Sequence, residues 1–411
     1  MRGARPTPRG SAAVAPAGAA HALPERADIV IAGASFAGLA AARALGSRAL
    51  VLDRAPLGAH QTSACALPVY LVERMAADAA ILQRHHRLVI TVDRRTTTWP
   101  LPRPFCTIDY AAFCRLVFAA SGARFHLAAV SGVTRASAPD GWLEVHTAAG
   151  TVRTRFVVDA MGPRSPLARA LPGRRTAFGV ETELPVPMDD GLRFAFLPEV
   201  RDGYAWAFPS GPMTRFGVLS YRGRTKLLPA LRAFLARFGL TPGPLHGGFL
   251  ATGLRPLPRA GVFPAGDAGG HCLPLTGEGI RTALLAGAAC GRLLAAALEG
   301  RISAAAAADA YTRFLRRSAA RFRWLTWLTV GTLLLPRPVL GWAVATMARP
   351  AWLARFYAGY FDVFLDTPGG RDADALDGVK VGERSAGPQG SPGVVPGEGV
   401  EPSRGVSPSR F

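Results

Sequence analysis

Lysine is nearly absent. Of 48 basic residues only Lys226 and Lys380 are lysines, so the formal charge of +20 is carried by arginine. With so much Ala, Gly and Pro, that balance fits GC-rich coding. The arginines are scattered, not gathered in a stripe beside a nucleic-acid motif. Nucleic acid is therefore not the expected partner; an anionic substrate or an anionic membrane surface suits the charge as well. Cysteine is scarce too. There are five in 411 residues with no C-x-x-C pair, and the eight histidines show no zinc spacing. This argues against a disulfide scaffold and against any metal site, and for a reducing, cytoplasmic compartment. Residues 1–26 hold no apolar run long enough for a signal peptide. No internal repeat is visible.

What is present is enough for a large core: 49% hydrophobic and 18% charged residues. The length predicts two to three domains, or one large discontinuous one. Residues 1–26 read as a disordered arm and 367–411, rich in Gly, Pro and Ser, as a disordered tail, leaving folded chain from 27 to 366. Near the end of the fold, Trp324–Leu335 and Val339–Ala348 are apolar, broken by Pro336-Arg337-Pro338. Each is shorter than the ~20 residues that cross a bilayer. Trp324, Trp327, Trp342 and Trp352, with Arg321, Arg323, Arg349 and Arg355 around them, have the makeup of an interfacial belt. A pair of core or dimer helices fits the same residues.

The first motif opens the fold. Ala27–Ala32 is a short apolar strand, Gly33-Ala34-Ser35-Phe36-Ala37-Gly38 a turn into a small-residue helix, and Arg48–Leu52 a second strand ending at Asp53. Each part has a task in dinucleotide binding. Gly33 permits the sharp turn, the helix N-terminus faces a pyrophosphate, and Gly38 lets helix and strand pack closely. Asp53 can accept from a ribose diol. Ser35 replaces the middle glycine and is small enough for close phosphate approach.

Two further signatures follow. Phe156-Val157-Val158 is a strand before Asp159-Ala160-Met161-Gly162. Much later, Gly261–Ala265 precedes Gly266-Asp267-Ala268-Gly269, and Pro274-Leu275-Thr276-Gly277-Glu278-Gly279-Ile280 opens a long Ala/Leu helix. Asp267 can bind the hydroxyls of a ribityl chain, and backbone N–H groups around Gly277 and Gly279 can stabilise negative charge on a reduced ring.

These three segments, in this order, resemble the flavoprotein superfamily of aromatic hydroxylases, geranylgeranyl reductases, flavin halogenases and lycopene cyclases. The stretch Gly266–Ile280 is similar above all to the geranylgeranyl reductase family. Over roughly residues 27–320, the resemblance implies an α/β fold: a discontinuous Rossmann-like FAD-binding domain from 27–175 and 255–300 and an inserted antiparallel substrate sheet from 176–254. The apolar, Trp- and Arg-rich pattern noted above makes 301–366 a helical, membrane-interfacial or core segment. The resemblance also implies FAD as cofactor, with Gly33, Ser35, Phe36, Ala37, Gly38, Asp53, Arg54, Val130, Asp159, Gly266, Asp267, Pro274, Gly277, Gly279 and Ile280 in contact. Superfamily members often carry an arginine at the start of the helix that opens here at Tyr110; Arg115 stands in for it.

It narrows the chemistry as well. Asp159-Ala160-Met161-Gly162 is nearer the reductase form Asp-Ala-Thr-Gly than the hydroxylase Asp-Gly. Gly203-Tyr204-Ala205-Trp206-Ala207-Phe208-Pro209 resembles the Tyr-x-Trp-x-Phe-Pro motif of prenyl reductases, although the Gly-x-Gly that follows in the family is Gly217-Val218-Leu219 here. In a strand, Tyr204, Trp206 and Phe208 share one face, with Phe194 and Phe196 nearby, so they read as either a substrate wall or sheet core. The halogenase Trp-x-Trp-x-Ile-Pro signature and its catalytic lysine are not found. Cys65 lies where these reductases often place a flavin-side cysteine, and His271 follows the Gly-Asp turn; both are candidate catalytic groups or merely packed side chains. Glu278, at a helix start, reads as a cap. No second Gly-rich site appears, so the reductant is NAD(P)H docking transiently or a ferredoxin-like donor. The expectation is an FAD-dependent oxidoreductase that saturates C=C bonds of an isoprenoid, cytoplasmic and peripheral on the inner face of a membrane. Its rivals are an aromatic or polyketide-type monooxygenase, a lycopene-cyclase-like isomerase, and a membrane-associated binding module with a degenerate flavin site.

Overall fold

The computed structural model describes residues 22–61, 63–136, 141–167 and 175–364. The arm and tail expected to be disordered lie, apart from 22–26, outside the described residues. The chain opens with β1 (Arg26–Ala32), α1 (Phe36–Leu45) and β2 (Ala49–Asp53). Next come β3 (Ala66–Pro68), α2 (Val69–Arg74), β4 (Ile81–Val92), β5 (Arg95–Ile108) and α3 (Tyr110–Ala119). β6 (Arg124–Leu127), β7 (Val130–Arg135), β8 (Leu143–Thr147), β9 (Gly150–Asp159), β10 (Arg175–Leu184) and β11 (Leu192–Phe196) follow. Then come β12 (Gly203–Ser210), β13 (Met213–Ser220), α4 (Leu227–Ala236), β14 (Leu245–Thr252) and β15 (Val262–Pro264). The chain closes with α5 (Ile280–Leu298), α6 (Ala304–Arg317), α7 (Ala319–Leu334), α8 (Arg337–Met347) and α9 (Pro350–Phe361).

Two sheets organise these elements. In the first, β6, β2, β1, β9 and β15 run parallel, and β7 and β8 extend β9 as an antiparallel meander. β1 and β2 are almost unbroken apolar runs because both of their faces are buried. α1 and α5 cover one face, and their alanines let them approach closely. Strand order reverses at β1, which lies between β2 and β9. Such switch points, at the carboxyl ends of parallel strands, leave a crevice for ligands. Gly33, Asp53 and Ala160 sit at those ends.

The second sheet has the order β14-β10-β13-β12-β11-β4-β5-β3, antiparallel except for the β11–β4 pair. It includes β3, β4 and β5, although the expected boundaries place that segment inside the first domain. That segment carries the alternation of a half-solvated strand pair, and it joins the sheet through β4 beside β11. Period-2 alternation also divides β12. Ala205 and Ala207 pack with Phe216, Val218 and the apolar face of α4, whereas Tyr204, Trp206 and Phe208 point to the other side. The segment after residue 300 is helical, as expected. α5 is long and apolar enough to cross a membrane, but 83% of its most apolar window is buried inside the protein.

Candidate active site

A single cavity of about 1640 Å³ joins the two sheets and the C-terminal helices. At one end it is lined by Gly33, Ser35, Phe36, Ala37, Asp53 and Arg54. A side chain is impossible at the turn itself: with φ +108°, Gly33 would place a Cβ 2.3 Å from Ala160 O, and one on Gly38 would fall 1.9 Å from Gly33 O. α1 has no side-chain cap and no acid in its first turn. The free N–H groups of that turn and the positive end of the helix dipole face the cavity. Ser35 accepts instead from Tyr110 Oη (3.1 Å). Asp53 shapes the loop by accepting from Ala34 N (2.7 Å) and Ala55 N (3.0 Å). Each oxygen keeps a lone pair for a further donor.

Val130, Gly266, Asp267, Gly277, Gly279 and Ile280 line the middle of the cavity. Asp267 accepts from Ala251 N (3.2 Å), which ties β14 to the turn. Gly277 N and Glu278 N already donate to Leu273 O (3.0 Å) and Thr276 Oγ1 (3.3 Å). The donors available here are therefore those of the uncapped first turn of α5, from Gly279 onward, and not Gly277 as the sequence had suggested. Asp159 and Pro274 are buried and do not line the cavity. Asp159 holds the turn after β9 by accepting from Met161 N (3.2 Å) and Ser165 Oγ (2.6 Å).

Three further expectations are corrected. Arg115 lies on the exposed face of α3, away from the cavity, because the buried face of that helix is taken by Tyr110, Phe113, Cys114 and Val117. His271 does not reach the cavity either. It is fully buried, accepts from Gly266 N through Nδ1 (3.1 Å) and packs its ring on Phe364. Burial lowers its pKa to about 3, so it stays neutral and braces the turn instead of donating protons. Glu278 is not a helix cap: it accepts from Arg281 Nε (3.2 Å) and Tyr360 Oη (2.6 Å), while Arg281 also donates to Tyr360 O (3.2 Å). This buried cluster fastens α9 to the start of α5.

Cys65 does line the cavity, fully buried and with φ +53°. Burial pushes its thiol up to about 12, so it is a neutral thiol at physiological pH. The aromatic residues of the second sheet form the far wall: Tyr204, Trp206 and Phe208 from β12 with Phe194 and Phe196 from β11. Phe194 packs edge-on against Tyr204 (5.4 Å) and Phe208 (5.2 Å).

The sequence reading missed a polar pair in this wall. Glu181 on β10 is 3% exposed and accepts from Trp206 Nε1 (2.8 Å) and His246 Nε2 (2.9 Å). Both Glu181 and His246 line the cavity. Donating to the Glu181 carboxylate raises the His246 pKa above its ordinary value, against the opposing effect of burial. The only signal in sequence was a Glu within an alternating strand, which separation along the chain kept from being paired with a His on β14.

No protein-family model matches this sequence, and no curated protein does. Solved structures do. The chain is similar to a geranylgeranyl bacteriochlorophyll reductase-like protein from Thermoplasma acidophilum, with a TM-score of 0.71 at 18% identity over 82% of this chain and 98% of that one. It is also similar to the myxobacterial chondrochloren halogenase, a variant of FAD-dependent halogenases (TM-score 0.60, 17% identity, 74% of this chain and 82% of that). A probable FAD-dependent monooxygenase from Pseudomonas aeruginosa aligns with a TM-score of 0.59 at 20% identity over 82% of this chain and 99% of that one. At such identities the likeness establishes the fold, which is the Rossmann-type fold of FAD-dependent flavoproteins. That fold is the one the sequence motifs led us to expect.

Proposed function

We propose that the protein binds FAD and is an oxidoreductase that saturates C=C bonds of an isoprenoid, geranylgeranyl-type substrate. One observation carries this reading: a dinucleotide-type cradle and an aromatic, apolar wall are parts of one cavity. The residues fit the cofactor. The bare N–H groups of α1 suit a pyrophosphate, Asp53 a ribose diol, Asp267 a ribityl hydroxyl, and the open first turn of α5 the negative charge of a reduced ring. When bound and reduced, FAD supplies the hydride; the reductant is an external nicotinamide or ferredoxin-like donor.

The chain's own side chains do the rest. Phe194, Tyr204, Trp206 and Phe208 exclude water from an alkene and hold it flat against the wall. The second carbon of the double bond needs a proton. His246, whose pKa is raised by its hydrogen bond to Glu181, is positioned on the cavity wall to hold it. Cys65 is a neutral thiol inside the same cavity and is the second candidate to hold that proton. The similarity to the geranylgeranyl bacteriochlorophyll reductase-like protein supports the substrate class. The monooxygenase-type neighbour supports the alternative of oxygen insertion into an aromatic compound.

Anaerobic incubation of the dithionite-reduced holoenzyme with geranylgeranyl-bearing lipids, read by mass spectrometry, tests the proposal. The expected product gains two hydrogens per bond. Gain of one oxygen in air on an aromatic substrate supports the monooxygenase reading, and an isomer of unchanged mass overturns both.

A further inference from the structure

The cavity opens to the surface beside the C-terminal helices. Trp327, Leu335 and Trp352 line it, yet Trp327 is 74% and Trp352 52% exposed, so the cavity reaches the surface between α7, α8 and α9. Around this mouth the surface is unusually apolar. Half of the exposed large hydrophobic residues of the described chain fall here: Trp327, Leu334, Leu335, Val339, Trp342 and Trp352. Pro336 and Pro338 cap the α7–α8 turn between them and are also exposed. The walls leading inward are apolar as well, formed by Leu328, Leu340, Ala343, Val344 and Met347. A patch of this kind on a folded chain marks a contact surface.

Its chemistry selects the partner. Every exposed tryptophan of the described chain is in this patch, and indole prefers the boundary between hydrocarbon and water. Between Ala319 and Phe364 there are five arginines and one aspartate. Asp362 is bridged by Arg321 (3.0 Å), and Arg337 pairs with Asp93 (3.5 Å) of the β4–β5 turn. Arg323, Arg349 and Arg355 are exposed and have no carboxylate partner among the described residues. Unneutralised cations beside exposed indoles match an anionic lipid surface, whereas a second copy of the same face would bring like charges together. Neither α7, with 16 residues, nor α8, with 11, is long enough to span a bilayer. The turn between them can only dip into the interface.

We infer that the α7–α8–α9 face docks on an anionic bilayer, with the cavity mouth turned into the lipid. This goes beyond the chemistry proposed above and does not depend on it, since vesicle binding is read without flavin or turnover. One consequence does rest on that reading: a lipid-dissolved isoprenoid would enter the aromatic wall from the membrane without crossing water.

The test is co-sedimentation of the purified full-length protein with phosphatidylcholine vesicles and with phosphatidylcholine–phosphatidylglycerol vesicles, together with tryptophan emission. Binding to the anionic vesicles, with a blue shift of emission and loss at high salt, is the expected result. The triple variant Trp327→Ser, Trp342→Ser, Trp352→Ser should bind both vesicle types at least roughly tenfold more weakly. Arg349→Gln with Arg355→Gln, which touches only exposed side chains and keeps the core intact, should weaken binding to the anionic vesicles by roughly tenfold and leave neutral ones unaffected. Wild-type protein that stays in the supernatant with both vesicle types overturns the inference. So does a wild-type dimer that the tryptophan variant converts to monomer while vesicle binding stays unchanged, because the face would then be a subunit interface.

Discussion

The indole of Trp206 lies across Gly217 on the neighbouring strand: a Cβ added to Gly217 would fall 2.0 Å from Trp206 Cζ2. The two residues face each other in the β12–β13 register. The missing side chain at 217 is what lets the ring lie flat against the sheet while Nε1 donates to Glu181. Gly217→Ala should therefore push the ring into the cavity, break that hydrogen bond and cost about 1–3 kcal/mol. In a Trp206→Ala background the same substitution should cost much less, and a double-mutant cycle by urea unfolding reads the coupling. Additive losses would show that the ring does not rest on Gly217.

Trp206→Ala alone bears on the substrate. Truncation removes much of the apolar wall, and a long chain covers more of that wall than a short one. Turnover of geranylgeranyl-length substrates should fall about tenfold or more relative to short prenyl analogues, with the loss mainly in kcat/KM. Equal losses for both lengths would make this tryptophan a purely structural part of the sheet.

Asp267→Ala should release flavin more than it damages the fold. Its carboxylate lines the cavity and accepts a backbone bond from Ala251 N. We expect a near-normal melting temperature and a colourless or FAD-weak protein in absorbance and equilibrium dialysis. A yellow holoenzyme of unchanged affinity would place the cofactor elsewhere.

Much of this site was legible because its signals are local. A turn that forbids a Cβ, an acid at the end of the next strand and a Gly-rich lead into a long helix all lie within short stretches, and the structure brings Gly33, Asp53, Asp267 and Gly279 to one cavity. The alternation of Tyr204, Trp206 and Phe208 likewise fixes a shared face from sequence alone. What failed was long-range. The Glu181–His246 contact joins residues that only sheet pairing makes neighbours. His271 stood beside a flavin-type turn in sequence, but its ring rotates into the packing around Phe364. Arg115 kept the sequence position of a superfamily arginine within about one and a half turns, and on a helix that offset selects the opposite face. The β3–β5 segment carried no motif, and only strand pairing shows which sheet it joins.

The last prediction concerns pH and the Glu181–His246 pair. His246 is held above its ordinary pKa first by its hydrogen bond to Glu181, with Glu183 acting in the same direction; burial and the nearby Arg215 act against it. A histidine whose pKa rises on folding adds stability that is complete below its unfolded value of ~6.5 and is lost as pH climbs through the raised folded value. Wild-type protein should therefore lose its stability advantage over His246→Gln between near-neutral and mildly alkaline pH, a difference read from paired melting curves. If His246 also holds the transferred proton, turnover should decline over the same window, and Glu181→Gln should move that decline to lower pH by removing the bond that raises the pKa. A decline that stays in place in Glu181→Gln would assign the proton to a group other than His246, whereas a profile flat through neutral pH would point to Cys65, whose thiol titrates only near 12.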